Sequence, residues 1–166
     1  MTQIQRTTVN LAGFPDLVVI YLGMQVRTLA GLKTFISFGP KISAAVAAKP
    51  DGLLLHENVF YSLFPLNVGM RQYWRDFQSL ENWSRSLPHQ EWWKNFLRDS
   101  GGTGFWHEAY FMRGGMEAIY DGLKGPFGFS GFAPAQPARG PMFNARKRAG
   151  LAGPPTIPAP VEEEAP

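Results

Sequence analysis

The segment Thr103–Arg113 (TGFWHEAYFMR) contains the residue types of this chain that are best suited to chemistry, an imidazole and a carboxylate set among aromatic rings. Because side chains alternate along a strand, His107 would share one face with Phe105 and Phe111, and Glu108 would lie on the other. An imidazole among phenyl rings is costly to bury unless it is hydrogen-bonded, ligated or facing a cavity. His107 is therefore the first candidate functional residue.

Three roles are open for His107. It could be a core histidine that bonds to the backbone or to a tyrosine, since buried polar groups usually find partners. It could orient or deprotonate an aromatic or phenolic substrate, because imidazole titrates near neutral pH. It could also be an axial ligand of haem iron, which needs one protein nitrogen and an apolar slot. Apart from haem iron at His107, no metal site is predicted.

Two arginines are candidates for holding an anionic group. Arg71 and Arg75 are predicted on one face of a strand, where planar bidentate contacts could bind a ligand carboxylate or the haem propionates. The alternative is that they form surface or interface ion pairs, for instance with Glu108.

An aromatic pocket is predicted beside His107. Its candidate residues are Tyr21, Trp74, Trp93, Phe105 and Phe111. Rings at helical or alternating positions more often belong to a core, and that alternative stays open. Trp92 and Trp93 cannot share one helix face, so one of them is expected to reach the pocket or a partner subunit.

Composition excludes several kinds of site. The chain of 166 residues has no cysteine, which removes disulfides, thiolate metal sites, iron–sulfur clusters and cysteine nucleophiles. Its glycines lack the grouping of a phosphate loop or a dinucleotide fingerprint, so neither flavin nor NAD is predicted. The spacing of the three histidines, His56, His89 and His107, does not match a zinc site.

Charge and hydropathy limit the partners. The net charge of +3 is small and mixed through the chain, and residues 67–74 lack the pattern of an RNA-binding strand, so nucleic acid is not predicted. The first apolar run, residues 17–24, is too short to span a bilayer and follows no basic region. We therefore expect a cytoplasmic protein without a membrane segment.

Hydrophobic periodicity predicts an α+β fold. The predicted elements are a strand over 17–26, helical segments over 29–38 and from Pro40, strands over 53–63 and 66–75, a helix capped by Asp76, a helix over 90–99 and a strand over 103–113. This βαββαβ order is that of a ferredoxin-like fold.

The same patterns predict four parts of the chain. Residues 1–16 are an N-terminal segment and 17–123 the ferredoxin-like domain, with a short helix over 116–123 at its end. Proline and glycine accumulate from Gly125, so 124–148 is predicted to be an ordered but irregular extension that drapes over the domain. Residues 149–166 form a Pro-rich, acidic tail that we expect to be mobile.

Four segments carry a resemblance to a known family: VIYLGMQV (19–26), RQYWRDF (71–77), GFWHEAY (104–110) and EAIY (117–120). They resemble a monooxygenase-like family of the dimeric α+β barrel superfamily, similar to antibiotic-biosynthesis and spheroidene monooxygenases. The resemblance covers roughly residues 17–143, and the Trp-His-Glu segment followed by Glu-Ala-Ile-Tyr is its most specific part.

The resemblance implies a ferredoxin-like subunit whose sheet pairs with that of a partner, and a pocket between each sheet and its own helices. A homodimer is also predicted from the residues, since strands 17–26 and 103–113 are apolar on both faces. The superfamily includes cofactor-free quinone-forming monooxygenases, haem enzymes such as chlorite dismutases and aldoxime dehydratases, and non-catalytic regulators. We therefore expect a monooxygenase-like enzyme for a small hydrophobic or aromatic molecule, cofactor-free or haem-dependent. The alternative is a non-catalytic ligand-binding or stress-response dimer.

Overall fold

The computed structural model describes residues 5–112, 115–121, 126 and 128–150. The chain divides into two compact units, Asp16–Phe111 and Met1–Pro15 together with Met112–Pro166. Its elements are β1 (Arg6–Val9), β2 (Val18–Val26), α1 (Leu29–Ala47), β3 (Leu53–Ser62), β4 (Asn67–Trp74), α2 (Phe77–Arg85), α3 (His89–Arg98), β5 (Thr103–Phe111), β6 (Tyr120–Asp121), β7 (Ala135–Pro137) and α4 (Ala145–Arg148), with 3₁₀ turns at Gly128–Gly131 and Gly140–Phe143.

The larger unit is built on a four-stranded antiparallel sheet in the order β3-β4-β2-β5. This is the predicted ferredoxin-like arrangement, with α2 and α3 together forming the second helical connection. Leu22 lies opposite Met70 on β4 and His107 on β5, which places all three on the same side of the sheet. Helices α1, α2 and α3 cover this side.

The two edges of the sheet differ in regularity. Strand β5 pairs with β2 without interruption over all nine of its residues, from Thr103 to Phe111. Strand β3 has two register shifts in its pairing with β4, one between Leu53 and Leu55 and the other between Phe60 and Ser62. Irregularities of this kind bend a strand and locally interrupt its ladder.

Two rings, one buried and one partly buried, join α2 to the sheet. Trp74 at the end of β4 is completely buried, and its ring lies 5.3 Å from that of Trp83 on α2. Val18, Ile20 and Leu80 complete this core. Helix α2 begins where predicted, because the Asp76 carboxylate accepts a hydrogen bond of 2.7 Å from the Ser79 amide.

Helix α1 differs from the prediction, because it runs unbroken through Pro40 where two helical segments were expected. Proline removes one intrahelical hydrogen bond and crowds the preceding turn. Partial burial of Phe35, Phe38 and Ile42, which lie on both sides of Pro40 and line one cavity, offsets that loss. Thr28 caps the helix, its hydroxyl accepting from the Gly31 amide at 3.2 Å.

A glycine pair on α1 provides a test of how closely this helix packs on the chain before β5. A Cβ at Gly31 would overlap the carbonyl oxygen of Gly102, whereas one at Gly39 would meet nothing within 4 Å. We expect Gly31→Ala to lower the free energy of unfolding by about 1–3 kcal/mol, as overpacking does. Gly39→Ala is the matched control and should cause no loss. Urea denaturation of both variants measures the difference, and equal stabilities would contradict the close approach.

The smaller unit contains strand pairing that the sequence patterns missed. Strand β1 lies between β6 and β7, with Thr7 opposite Tyr120 on one side and Pro137 on the other. The helix predicted over 116–123 is therefore wrong where the structure describes it, since Tyr120–Asp121 is a strand; residues 122 and 123 lie outside the described residues. The Thr8 hydroxyl donates to the Ala118 carbonyl at 2.7 Å, which holds the segment before β6 in place.

The mobility of the tail over 149–166 stays a prediction, because residues 151–166 lie outside the described residues. Within the described part of the chain, none of the helices has the length and hydrophobicity needed to cross a bilayer.

Candidate ligand cavity

A cavity of about 360 Å³ lies between the sheet and the helices of the larger unit. This volume falls within the range of small-molecule sites, roughly 300–1,000 Å³. The apolar residues that line it are Phe35, Phe38, Ile42, Ala45 and Val46 on α1, Trp83 on α2, Trp92, Trp93 and Phe96 on α3, and Leu22, Met24, Val68, Met70 and Phe105 on the sheet.

Few polar side chains reach this cavity. They are Ser43 on α1, Asn58 on β3, Gln72 on β4 and His89 at the start of α3. An apolar cavity with a small number of placed polar groups is the usual composition of a site for a hydrophobic ligand, because the polar groups fix its orientation.

His89 is the polar residue whose geometry is most defined. Its ring lies 4.7 Å from that of Trp83 and 6.2 Å from that of Trp92, and its Nδ1 is 2.9 Å from the Ser84 carbonyl oxygen. A carbonyl can only accept, so Nδ1 carries the proton and Nε2 has the lone pair. Among the described residues, Nε2 has no hydrogen-bond partner.

The electrostatics of His89 favour its neutral form. Burial among the rings lowers the pKa of His89 below its ordinary value of 6.5, against a smaller opposing effect of the hydrogen bond to Ser84. At neutral pH the cavity therefore contains an unprotonated imidazole nitrogen. Such a nitrogen can accept a proton or a hydrogen bond, or can ligate a metal.

His107 does not line this cavity. It lies on the helix side of β5, as alternation predicts, but its side chain is exposed. Two of the predicted pocket residues do line the cavity, Trp93 and Phe105, whose rings are 5.4 Å apart.

The other predicted pocket residues lie elsewhere. Trp74 belongs to the buried core, and Phe111 is partly exposed against Phe77, at 5.4 Å between the rings. Tyr21 was placed in the pocket but projects from the opposite side of the sheet, because its register puts it beside Arg71 and Glu108.

The two tryptophans at the start of α3 also differ from expectation. One was predicted to reach the pocket or a partner, yet both Trp92 and Trp93 line the cavity. Trp92 lies against Phe38, at 6.2 Å between the rings, and Trp93 stacks on Phe96 at 5.8 Å. Two rings that are adjacent in the sequence therefore line the same cavity, although they do not share one helix face.

The arginines predicted to bind an anion do not reach the cavity. Arg71 lies on the opposite side of the sheet, where its Nε and Nη2 donate to Glu57 at 2.9 and 2.7 Å and its Nη1 donates to the Tyr21 hydroxyl at 3.1 Å. Arg75 follows the end of β4 and pairs with Asp51 and Asp76. The predicted set of His107, Arg71 and Arg75 is thus not brought together at one haem site.

The side of the sheet away from the helices is aromatic and hydrogen-bonded. Tyr21 and Tyr110 meet edge to face at 5.7 Å, and Tyr61 and Trp106 meet at 4.9 Å. The Trp106 indole donates to Asn67 at 3.0 Å, and Glu108, expected to pair with an arginine, accepts from the Tyr110 hydroxyl. Tyr61 and Tyr110 remain about half exposed.

His89 was not predicted from the sequence, because the spacing of the histidines matches no metal site and His89 does not lie in a predicted strand. A usable signal was present: His89 begins a helix directly after Pro88, three residues before Trp92, so the two rings share a helix face. Asn58 and Gln72 carried no comparable signal, because an amide within a strand pattern is ambiguous until the sheet register is known.

Comparison with known proteins agrees with the fold. Residues 17–129 match the family described as Monooxygenase af470-like. An aldoxime dehydratase (OxdRE) in complex with butyraldoxime superposes with a TM-score of 0.65 at 24% identity, covering 80% of this chain and 38% of that one. A second aldoxime dehydratase gives 0.63 at 22% identity, covering 80% and 39%. This chain thus spans about two fifths of their length.

More distant similarity is found to SnoaB, a cofactor-independent oxygenase from Streptomyces nogalater, with a TM-score of 0.46 at 14% identity, covering 59% of this chain and 94% of that one. No curated protein matches the chain.

Proposed function

We propose that this chain, which belongs to the monooxygenase af470-like family, oxidises a small hydrophobic, aromatic molecule bound in the cavity between its sheet and helices. The observation that carries the proposal is the His89 imidazole, which lines this largely apolar, ring-lined space and whose Nε2 has no hydrogen-bond partner among the described residues. Monooxygenase-like function is a property of the family. The substrate class and the site are the proposal.

The residues support a proton-transfer role for His89. Its Nε2 can take a proton from a phenolic O–H or from an acidic C–H of a ring ketone, since the imidazole is neutral at pH 7. The hydrogen bond from Nδ1–H to Ser84 then stabilises the imidazolium, as a carbonyl acceptor does. Trp92, Trp93 and Phe105 provide aromatic surface against which the anion can pack.

Dioxygen is the oxidant in the proposed reaction. The substrate anion is electron-rich and supplies electrons to O2, so no external reductant is required. For a ring methylene group the balance is CH2 + O2 → C=O + H2O, in which carbon loses four electrons and dioxygen gains four. The proton taken by His89 leaves with the water.

Haem is the second candidate, favoured by one observation: His89 lines a largely apolar cavity, and its Nε2 has no hydrogen-bond partner in the part of the chain that the structure describes. The fit is incomplete, because no described residue lining the cavity is a lysine or arginine that could pair with the propionates. Both aldoxime dehydratases share the fold at TM-scores above 0.6. The residues that line the cavity therefore fit haem only in part.

One experiment separates these candidates. The purified protein is examined by absorption spectroscopy before and after titration with haemin, and oxygen uptake is followed with a panel of phenols and ring ketones. Uptake by a colourless protein is the expected result. A stoichiometric Soret band that is lost in His89→Phe would move the function to haem chemistry. Ligand binding, seen as quenching of tryptophan fluorescence, without either signal would identify a non-catalytic binding protein and overturn the proposal.

We further propose that the chain is a homodimer, paired through the side of the sheet that bears Tyr61, Trp106 and Tyr110. This side exposes large rings on a regular surface, which is unfavourable in water. Light scattering at micromolar concentration should give twice 18.5 kDa. Tyr110→Lys should favour the monomer, because it brings a charge into the interface, while Lys94→Ala on α3 is a control that should not. A monomeric wild-type protein would contradict the proposal.

A further inference from the structure

A chain of hydrogen bonds crosses β4 and β3 on the helix side of the sheet. The Trp74 indole Nε1 lies 3.1 Å from Gln72 Oε1, Gln72 Nε2 lies 3.2 Å from His56 Nδ1, and His56 Nε2 lies 3.3 Å from Asn58 Oδ1. Gln72 is buried, with 1% of its surface exposed. The chain begins in the core and ends at a residue that lines the cavity.

The direction of this chain is fixed at its buried end. The indole of Trp74 can only donate, so Gln72 must turn its carbonyl oxygen towards it and its NH2 group towards His56. An NH2 group can only donate, so His56 Nδ1 is the acceptor and the proton of the neutral ring is on Nε2. Burial also lowers the pKa of His56, which favours this neutral ring.

The direction then determines how Asn58 is oriented. Because His56 Nε2–H donates, the side-chain carbonyl oxygen of Asn58 faces His56 and its NH2 group points the other way. Among the described residues, this NH2 group has no acceptor. Asn58 itself lines the cavity and is exposed to solvent.

We infer that Asn58 is a specificity-determining residue, whose amide, held by Trp74, Gln72 and His56, donates to a carbonyl oxygen on the ligand. The inference rests on the proposed function and narrows its substrate class to planar molecules with a carbonyl acceptor. The donor at Asn58 and the acceptor at His89 give the cavity two unlike polar positions. A carbonyl held at Asn58 also gains charge when His89 removes a proton, so the same hydrogen bond strengthens during the reaction.

The test uses two probes that share one skeleton, fluorene and 9-fluorenone, which differ in the carbonyl group. Their dissociation constants are measured by quenching of tryptophan fluorescence in oxygen-free buffer, because the proposed reaction would convert the ring methylene group of fluorene to the carbonyl group of 9-fluorenone. The ratio of the two constants reports the carbonyl contribution. In the wild-type protein we expect 9-fluorenone to bind about three- to ten-fold more tightly than fluorene, the typical net gain of a neutral hydrogen bond. Equal affinities in the wild type would overturn the inference while leaving the cavity as a ligand site.

Three variants test whether the tighter binding of 9-fluorenone comes from the Asn58 amide. Asn58→Asp keeps the size but replaces the donors with acceptors, so the affinity ratio should fall to one or below while fluorene affinity is unchanged. His56→Leu removes the link that orients Asn58 and should give an intermediate ratio, a result that simple loss of stability would not produce. Asn95→Asp makes the same chemical change at an exposed position on α3 and should preserve the wild-type ratio.

The outcomes separate this inference from the proposed function. A wild-type ratio retained in Asn58→Asp would show that the carbonyl is recognised elsewhere and would overturn the role of Asn58. Oxygen uptake that does not depend on a carbonyl group in the substrate would support the proposed function. It would overturn the restriction of the substrate class to molecules with a carbonyl acceptor. Failure of both probes to bind, in a folded protein, would remove the cavity as a ligand site and both proposals with it.

Discussion

Replacement of His89 by phenylalanine is expected to reduce oxygen uptake with the best substrate of the panel by about 100-fold or more, the usual contribution of a positioned general base. Phenylalanine retains a ring between Trp83 and Trp92 and so preserves most of the packing. The Ser84 carbonyl loses its side-chain donor, which should cost about 1 kcal/mol of stability. Thermal unfolding followed by circular dichroism checks that the variant is folded.

The comparison variant is His107→Gln, which changes an exposed imidazole outside the cavity and should leave the rate within two-fold of wild type. If instead His107→Gln abolished uptake and His89→Phe did not, the functional centre would be at His107.

The pH profile of oxygen uptake gives an independent check of the role of His89. Because the pKa of His89 is lowered, activity should be present at neutral pH and should fall only as pH drops below the ordinary value of 6.5. An acid limb above that value would contradict the role of His89.

Replacement of Trp74 by alanine is expected to produce the largest loss of stability, about 3–5 kcal/mol of the free energy of unfolding. The ring is fully buried and packs on Trp83, so its removal leaves a cavity between β4 and α2. It also removes the donor to Gln72, whose amide is buried. A loss of this size is a large fraction of the stability of a single domain, so unfolding should be followed by urea denaturation at low temperature.

The matched control is Trp93→Ala, the same substitution at a ring that is 43% exposed. It should lower the free energy of unfolding by less than half as much, because less apolar surface is lost from the interior. Similar losses for the two variants would mean that the sheet and α2 do not form the main core of the larger unit.

Much of the larger unit could be predicted because its patterns are local. Strand alternation in 103–111 and the Asp76 cap each depend on a few neighbouring residues. The alternation predicted the correct face for each side chain of that strand, and the cap predicted the correct start of α2. Pro40 misled the prediction because its local cost is visible in sequence, whereas the burial of Phe35 and Ile42 that offsets it is a tertiary effect.

The site was harder to predict than the fold. His107 was singled out by its aromatic neighbours, but whether a residue on an edge strand is covered depends on where the helices lie. His89 faces the cavity because α3 packs with Trp92 and Trp93 towards the sheet, which no spacing along the chain reveals. The hydrogen-bond chain from Trp74 through Gln72 and His56 to Asn58 joins four positions on two strands, and only the register of β3 against β4 brings the two halves together.

The two edges of the sheet differ in how readily each can pair with a strand from another polypeptide. An open edge is a template for strand addition, and a flat, unbroken edge is the better template. The two register shifts in β3 interrupt its ladder near both ends, so that edge resists the addition of a foreign strand. In the part of the chain that the structure describes, β5 has no such protection, and any continuation of the sheet by another polypeptide would begin along Thr103–Phe111.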